Sequence, residues 1–207
     1  MRSESLEVLD VAGLHSALGR CCDALEGAAP ELNALDARLG DGDLGTTLAK
    51  CAGNLRELLA VPPATLEALL KGCAQACARA SGSSFGTLLA VAFLSAAKTV
   101  GQRDALDRDT LVALLDTVGQ ALSQRGGAVP GDKTMLDSLA AIASALRNAP
   151  DLAPPALKAA ARSGAQGALD AFRGQPNRIG RARMFAERSI GLDDPGMVAV
   201  QRMVQAI

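Results

Sequence analysis

Three aspartates, at positions 36, 41 and 43, lie close together in one glycine-rich stretch of this 207-residue chain, which reads Leu35-Asp36-Ala37-Arg38-Leu39-Gly40-Asp41-Gly42-Asp43-Leu44-Gly45-Thr46-Thr47. Carboxylates at this spacing repel one another unless a cation lies between them. Mg²⁺ prefers oxygen ligands and is often held by one or two carboxylates together with substrate phosphates. The glycines allow close backbone approach, and a helix beginning near Thr46 would offer unpaired N–H groups to an anion. The stretch therefore predicts a site for a metal ion and a phosphate.

Two other interpretations of this stretch remain open on spacing alone. The first is a solvated turn in which an aspartate caps the following helix. The second is part of a Ca²⁺ loop, although the bidentate Glu expected near the end of such a loop is missing.

Three later turns also contain residues that suit phosphate contact. Residues 80–87 form a Gly/Ser turn that opens a helix, and its hydroxyl and N–H groups suit a nucleotide, although a plain link between helices would look the same. Residues 126–134 nearly match a P-loop, but Asp132 precedes the lysine and a helix precedes the loop, so we reject that match. Residues 177–196 contain an Arg cluster and an Asp-Pro-Gly turn; the arginines could bind phosphate or lie on a solvated face.

Helices must position these turns. About one residue in five is Ala, Leu is abundant and Ile is scarce, a composition typical of helices. Apolar residues recur at steps of three and four along the first segment, at Val11, Leu14, Leu18, Cys21 and Leu25. A second such segment, Leu111 to Leu122, has Asp109 and Thr110 as candidate caps.

Further helices are expected near residues 64–79, 86–101, 134–148 and 155–173, with prolines between them. No stretch alternates as a half-buried strand does. We therefore predict an all-α protein of seven or eight antiparallel amphipathic helices, forming a single domain over residues 1–207.

Composition excludes several classes of function. The net charge of -1 gives no basic excess for nucleic acid. Four Phe with no Trp or Tyr cannot build an aromatic stacking platform. The sequence has no apolar run long enough to span a membrane and no secretory signal, so we expect a cytoplasmic location. Because no signal peptide is present, the five cysteines are expected to be reduced and mostly in the core. A zinc site at Cys73 and Cys77 is disfavoured, since the chain has no CxxC pair and only one His. His15 stands alone on the first helix and is more typical of a structural than a catalytic histidine.

Taken together and in order, the four turns resemble the four signatures of the nucleotide-binding L subunit, or L domain, of dihydroxyacetone kinases. The order and the intervals agree over nearly the whole chain. The resemblance implies a barrel of about eight antiparallel amphipathic helices, with the nucleotide site in loops at one end.

The resemblance also implies roles for individual residues. Asp36, Asp41 and Asp43 match the aspartates that hold two Mg²⁺ ions, which in turn bind the phosphates of ATP or ADP. Arg181 matches the arginine of the Gly-Arg-Ala motif and is the candidate catalytic residue, adding positive charge at the transferred phosphoryl group. The other matches are to nucleotide-contacting residues: Leu44, Gly45, Thr46, Thr47, Ser81, Gly82, Gly126, Met135, Asp194, Pro195 and Gly196.

Two departures from the family pattern stand out. Many relatives have His, Thr or Cys where this chain has Leu44, which keeps a backbone donor but loses any side-chain donor. The rings usual after Gly-Arg-Ala are replaced here by Arg183, Met184 and Phe185. With the three aspartates intact, metal binding is expected to persist.

The family resemblance also predicts a partner. In the family the ketone is held covalently by a histidine on a separate K-type subunit or domain, and His15 matches nothing of that kind. The chain is thus expected to be the nucleotide half of a two-part dihydroxyacetone (glycerone) kinase, nearly inactive alone. The phosphate donor would be ATP or a phosphotransferase-system phosphocarrier, and the Gly-Asp-Gly-Asp-x-Gly-Thr-Thr form favours ATP. The sequence leaves open whether two copies of the chain form a homodimer.

Three alternatives remain at this stage. One is a kinase half for another small carbonyl compound, such as a tetrulose or a carboxylate held by a partner. A second is a non-catalytic nucleotide sensor that acts on a transcription regulator, which the loss of a polar side chain at Leu44 would suit. The third is a helical bundle that binds a lipid in its interior, which leaves the three aspartates unexplained.

Overall fold

The computed structural model describes residues 9–80 and 84–207. In that part of the chain nearly all regular structure is helical, in eight α-helices. They are α1 (Val11–Asp36), α2 (Leu44–Leu59), α3 (Leu66–Arg79), α4 (Ser84–Val100), α5 (Arg108–Gly126), α6 (Met135–Arg147), α7 (Pro154–Arg173) and α8 (Pro195–Ala206). The all-α prediction is confirmed.

The helices close into a ring. Each helix packs against the next one along the chain, and α8 packs back against α1. Short links make successive helices from α1 to α7 antiparallel neighbours, and a longer connection, residues 174–194, leads from α7 to α8. The core inside the ring is built mainly from Leu and Ala, with buried cysteines filling small gaps. Cys22, Cys51, Cys73 and Cys77 are buried, and burial raises the pKa of the Cys73 thiol to about 12.

Two details differ from the sequence predictions. A two-residue antiparallel pair joins β1 (Leu9–Asp10) to β2 (Ala105–Leu106), which is too short to leave an alternating pattern. Helix α5 is capped by Asp107, whose side chain accepts a hydrogen bond from the Thr110 amide at 2.7 Å. The predicted caps Asp109 and Thr110 lie instead in its first turn, because the chain becomes helical one residue after Asp107.

His15 has a structural partner. Its Nε2 lies 2.9 Å from the carbonyl oxygen of Leu59. The imidazole therefore connects the first turns of α1 to the end of α2, at the opposite end of these helices from the aspartate loop. Within the described residues, none of the helices has the length and apolarity needed to cross a membrane.

Candidate functional site

A cleft of about 890 Å³ opens at one end of the ring. Its walls come from the link between α1 and α2, the beginnings of α4, α6 and α8, and the end of α5. The connection between α7 and α8, residues 174–194, also lines part of the cleft. It contains a 3₁₀ helix, Arg181–Ser189. All four turns selected from the sequence thus contribute residues to one cleft. Of the second turn, residues 80–87, the structure places Phe85 and Thr87 in the lining, whereas the predicted contacts Ser81 and Gly82 lie outside the described residues.

The three aspartates converge at the mouth of this cleft. Asp36, Asp41 and Asp43 each place a carboxylate oxygen within 4.8 Å of the others. Among the described residues, no other group of three or more His, Cys, Asp or Glu side chains is gathered in this way. Oxygen donors of this kind fit a hard divalent cation.

Helix geometry fixes this cluster. Asp36 is the last residue of α1, and its Oδ2 accepts hydrogen bonds from the amides of Asp43 at 3.0 Å and Leu44 at 3.3 Å. Gly42 turns the chain back with a φ of 76°, a conformation that glycine adopts without strain. Asp36 therefore holds the loop closed with one oxygen and leaves the other for a ligand.

The predicted free amides at the start of α2 are not found. In addition to the Leu44 bond, the Thr46 amide donates to Asn33 Oδ1 at 3.0 Å and the Thr47 amide donates to the Asp43 carbonyl at 2.9 Å. Asn33 also donates from its Nδ2 to Thr46 Oγ1 at 3.0 Å. The chain itself occupies these donors, so the expectation of unpaired N–H groups does not hold for the amides of Leu44, Thr46 and Thr47.

Gly45 has a packing role. A Cβ placed on it would lie 2.0 Å from the carbonyl oxygen of Ala29, because α1 and α2 approach each other closely there. Gly45 and Thr47 are buried, and the described cleft lining includes Leu44 but not Gly45, Thr46 or Thr47.

The remaining predicted contacts that the structure describes all line the cleft. Gly126 ends α5, and Met135 begins α6. The Asp-Pro-Gly turn opens α8, with Asp194 as its cap: Oδ1 accepts from the Met197 amide at 2.9 Å. Removal of its carboxylate from water raises the pKa of Asp194 to about 6. These lining residues are Gly126, Met135, Arg181, Asp194, Pro195 and Gly196.

Arg181 reaches across the cleft mouth to the aspartate cluster. Its Nη1 forms an ion pair with Asp41 Oδ2, and both side chains are largely exposed. This guanidinium holds the pKa of the Asp41 carboxyl below its usual range. The arginine thus places positive charge beside the carboxylates, 140 positions along the chain from Asp41.

Several residues of the site were not predicted from the sequence. Leu88, Leu122 and Arg125 line the cleft from outside the four turns, and no local pattern marks them. Phe85, Thr87 and Ile179 also line it; they lie within the turns 80–87 and 177–196 but were not named there as contacts. Lys133, the lysine of the rejected P-loop match, is buried and donates hydrogen bonds to main-chain carbonyls. A lysine held in this way does not face phosphate, which agrees with the rejection.

Comparison with known proteins finds a matching domain family and relatives that are named as kinases. The DAK2 domain family matches residues 38–207. The ADP-binding subunit DhaL of the PEP-dependent dihydroxyacetone kinase of Escherichia coli (strain K12) is 31% identical over 193 residues, which cover 92% of each chain. The L-erythrulose 1-kinase of Mycolicibacterium smegmatis is 35% identical over 185 residues, which cover 86% of this chain and 32% of that protein.

The fold agrees with these matches. The dihydroxyacetone kinase of C. freundii, in its native form, superposes with a TM-score of 0.75 and 26% identity, covering 100% of this chain and 36% of the other. The same kinase in complex with AMP-PNP and Mg²⁺ gives a TM-score of 0.71 and 27% identity, covering 100% and 35%.

The chain spans about a third of the length of several curated relatives that it matches, the L-erythrulose 1-kinase among them. It matches the E. coli subunit over nearly the full length of both. From the cleft, its aspartate cluster and these matches together, the chain belongs to the DAK2 domain family, the family of the dihydroxyacetone kinases.

Proposed function

We propose that this chain binds a magnesium–nucleotide complex in the cleft and is the nucleotide-binding half of a two-part ketose kinase. The observation that carries the proposal is the convergence of three carboxylates within 4.8 Å at the mouth of a cleft of about 890 Å³. A C. freundii relative of the same fold is known in complex with AMP-PNP and Mg²⁺.

Asp36, Asp41 and Asp43 are the residues that would hold Mg²⁺, and the family resemblance predicts two ions. A bound ion would neutralise phosphate charge during phosphoryl transfer. The chain contributes the oxygen ligands and their fixed spacing. It also contributes Arg181, which is placed to stabilise negative charge on the phosphate side.

The interior of the cleft suits the rest of a nucleotide. Its lining includes the apolar residues Phe85, Leu122, Met135, Ile179 and Pro195 as well as the charged groups. Apolar side chains can pack on the faces of a purine, while the charged groups at the mouth contact the phosphates. Charged groups and apolar side chains in one cleft together support a nucleotide over a free phosphate.

The ketose is proposed to be held by a separate K-type subunit. His15, the single histidine of the chain, bonds to Leu59 away from the cleft and is not placed to hold a substrate. In a coupled assay with dihydroxyacetone, we expect almost no turnover by the isolated chain and measurable turnover when a K-type subunit is added. Appreciable turnover by the chain alone contradicts the two-part proposal.

The phosphoryl donor is proposed to be ATP, because the pattern Gly-Asp-Gly-Asp-x-Gly-Thr-Thr favours it. The E. coli relative that matches over its full length is named as PEP-dependent, so a phosphocarrier protein is the competing donor. Dialysis distinguishes the two: exchangeable nucleotide supports ATP, whereas tightly retained ADP supports the phosphocarrier.

A second acceptor deserves testing because one relative is named as an L-erythrulose 1-kinase. Since the ketose is proposed to lie on the partner, the acceptor should change with the partner and not with this chain. Assays with dihydroxyacetone and erythrulose, each with different K-type subunits, test this. ADP binding without phosphoryl transfer to any ketose would instead indicate a nucleotide sensor.

Calorimetry tests the binding site itself. We expect ADP to bind in the presence of Mg²⁺ and to bind at least about tenfold more weakly when EDTA removes the ion. Asp43→Asn should weaken Mg²⁺-dependent binding by a similar factor, whereas Asp104→Asn, an exposed aspartate between α4 and α5, should not. Equal affinity with Mg²⁺ and with EDTA contradicts the proposed metal site.

A further inference from the structure

Lys133 is a buried cation that lies outside the proposed metal and phosphate contacts. Only 1% of it is exposed, and its backbone has a φ of 62°, which is unusual for a residue other than glycine. Its Nζ donates to the carbonyl oxygens of Gln175 at 2.7 Å, Ser189 at 2.8 Å and Arg173 at 3.3 Å. Three acceptors satisfy all three donors of an ammonium group.

These acceptors lie at the two ends of one loop. We call residues 174–190 the arginine loop, because it contains Arg181. The Gly191 amide donates to the Arg173 carbonyl at 2.8 Å and closes the base of the loop. The Lys133 ammonium lies in this base and joins its two sides, while Arg181 reaches Asp41.

Asn177 makes a second connection between Lys133 and the cleft. Its Nδ2 donates to the Lys133 carbonyl at 2.9 Å and to Asp194 Oδ2 at 2.9 Å. Asp194 in turn caps α8 at the cleft wall. Lys133 is therefore bonded to the arginine loop through its side chain and, through Asn177, to the start of α8.

We propose that Lys133 is a positioning residue that holds the base of the arginine loop, so that Arg181 stays aligned with the aspartate cluster. Its effect on the nucleotide rests on the proposed function, whereas its effect on the loop does not. Lysine suits this role because three divergent carbonyls need a compact cation with three donors, which the planar guanidinium of arginine cannot match.

Hydrogen exchange tests the effect on the loop without any ligand. Lys133→Met keeps most of the side-chain volume and removes all three donors, which leaves three carbonyls without their charged partner. We expect peptides from residues 174–191 to exchange at least about tenfold faster in this variant, because charged hydrogen bonds are lost at the base. Peptides from α3 should be unchanged.

Lys158→Met, at an exposed position on α7, is the matched control and should leave exchange in the loop unchanged. If Lys133→Met fails to fold, Asn177→Ala breaks the neighbouring connection and should accelerate exchange in the same peptides. Unchanged loop exchange, or equal acceleration in every peptide, overturns the positioning role.

A double-mutant cycle tests whether Lys133 acts through Arg181. Affinity for Mg²⁺–ADP is measured in the wild type, Lys133→Met, Arg181→Ala and the double variant. If Lys133 acts by aligning Arg181, the two losses should overlap, so that Lys133→Met changes affinity less than about twofold once Arg181 is absent. A simple loss of stability would leave the two effects additive, and additivity overturns this part of the inference. If the wild type binds no Mg²⁺–ADP, the proposed function fails, and the exchange measurement still decides the role of Lys133 in the loop.

Discussion

Arg181 and Asp41 form an ion pair between two largely exposed side chains. Solvent screens exposed pairs, so they contribute little to stability. Under the proposed function the pair matters for the ligand more than for the fold, because it fixes where positive charge meets the carboxylates.

Arg181→Ala should accordingly separate catalysis from stability. We expect the free energy of unfolding to stay close to that of the wild type, because solvent screens the exposed pair. Phosphoryl transfer with a K-type subunit should slow by at least about 100-fold, because charge stabilisation at a transferred phosphoryl group is lost. Denaturation curves and coupled assays measure the two quantities. Arg183→Ala, an exposed neighbour, is the control, and a transfer rate unaffected by Arg181→Ala would remove Arg181 from the mechanism.

Asp194 predicts a pH dependence of stability. Its pKa is raised to about 6 from a usual 3.8, so between those values the folded protein keeps a proton that the unfolded chain releases. The contribution of Asp194 to stability is thus largest below about pH 4 and decreases as the pH rises to about 6. It becomes constant only about one pH unit above the folded-state pKa.

Denaturation of wild type and Asp194→Asn from pH 4 to pH 8 measures this effect. Asparagine can still cap α8 but does not titrate in this range. The stability of wild type relative to the variant should fall by about 1 to 2 kcal/mol between pH 4 and pH 6. A difference independent of pH would show that the Asp194 carboxyl has its ordinary pKa.

At the scale of helices, the contact between α1 and α2 positions the aspartate loop. Asp36 ends α1 and Asp43 caps the start of α2, so the distance between these helices sets the spacing of the cluster. Gly45 permits that distance, since its missing side chain leaves room for the Ala29 carbonyl.

Two glycines of α2 test this contact. Gly45→Ala puts a Cβ into the Ala29 carbonyl oxygen and should destabilise the protein by about 2 kcal/mol or more, because two backbones must separate. Gly53→Ala, where nothing lies within 4 Å of the added Cβ, should be neutral or stabilise by up to about 1 kcal/mol. Thermal or chemical denaturation compares the two. Equal effects of both substitutions would exclude a close contact at Gly45.

The helices and the aspartate cluster show how much of the fold and of the site the sequence could predict. Periodic apolar residues such as Leu14, Leu18 and Leu25 depend only on local spacing, so the helices were predicted well. The three aspartates were found because they lie within eight residues of one another. The resemblance to one family then ordered the turns around one site.

What could not be predicted depends on contacts distant in sequence. Lys133 bonds to carbonyls 40, 42 and 56 residues away, and its own turn gave no sign of burial. The amides of α2 are occupied by Asn33 and Asp36, which belong to another helix. Cleft residues such as Leu122 and Arg125 of α5 come to the site only when the ring of helices closes, and single-sequence patterns do not contain that information.

For the whole molecule, ligand binding should be visible as stability. If Mg²⁺–ADP binds the folded chain alone, a concentration of 100 times Kd adds about 2.7 kcal/mol. For a chain of this size each kcal/mol raises Tm by about 2–4 °C, so a shift of roughly 5–10 °C is expected. Thermal melts with ADP and Mg²⁺, compared with ADP and EDTA, measure it. Asp43→Asn should lose most of the shift; an equal shift with EDTA would exclude a role for the ion.

The ring of helices also determines which end of the protein can be immobilised without blocking the cleft. Helix α8 begins at the cleft and runs to Ala206, towards the opposite end of the ring of helices. There the Arg20 Nε donates a hydrogen bond to the Ala206 carbonyl oxygen at 2.8 Å. Twelve helical residues span about 18 Å, so a tether at Ile207 leaves the cleft facing away from its anchor. Immobilising the chain through that residue on a sensor surface would leave the opening accessible to both small solutes and a docking protein.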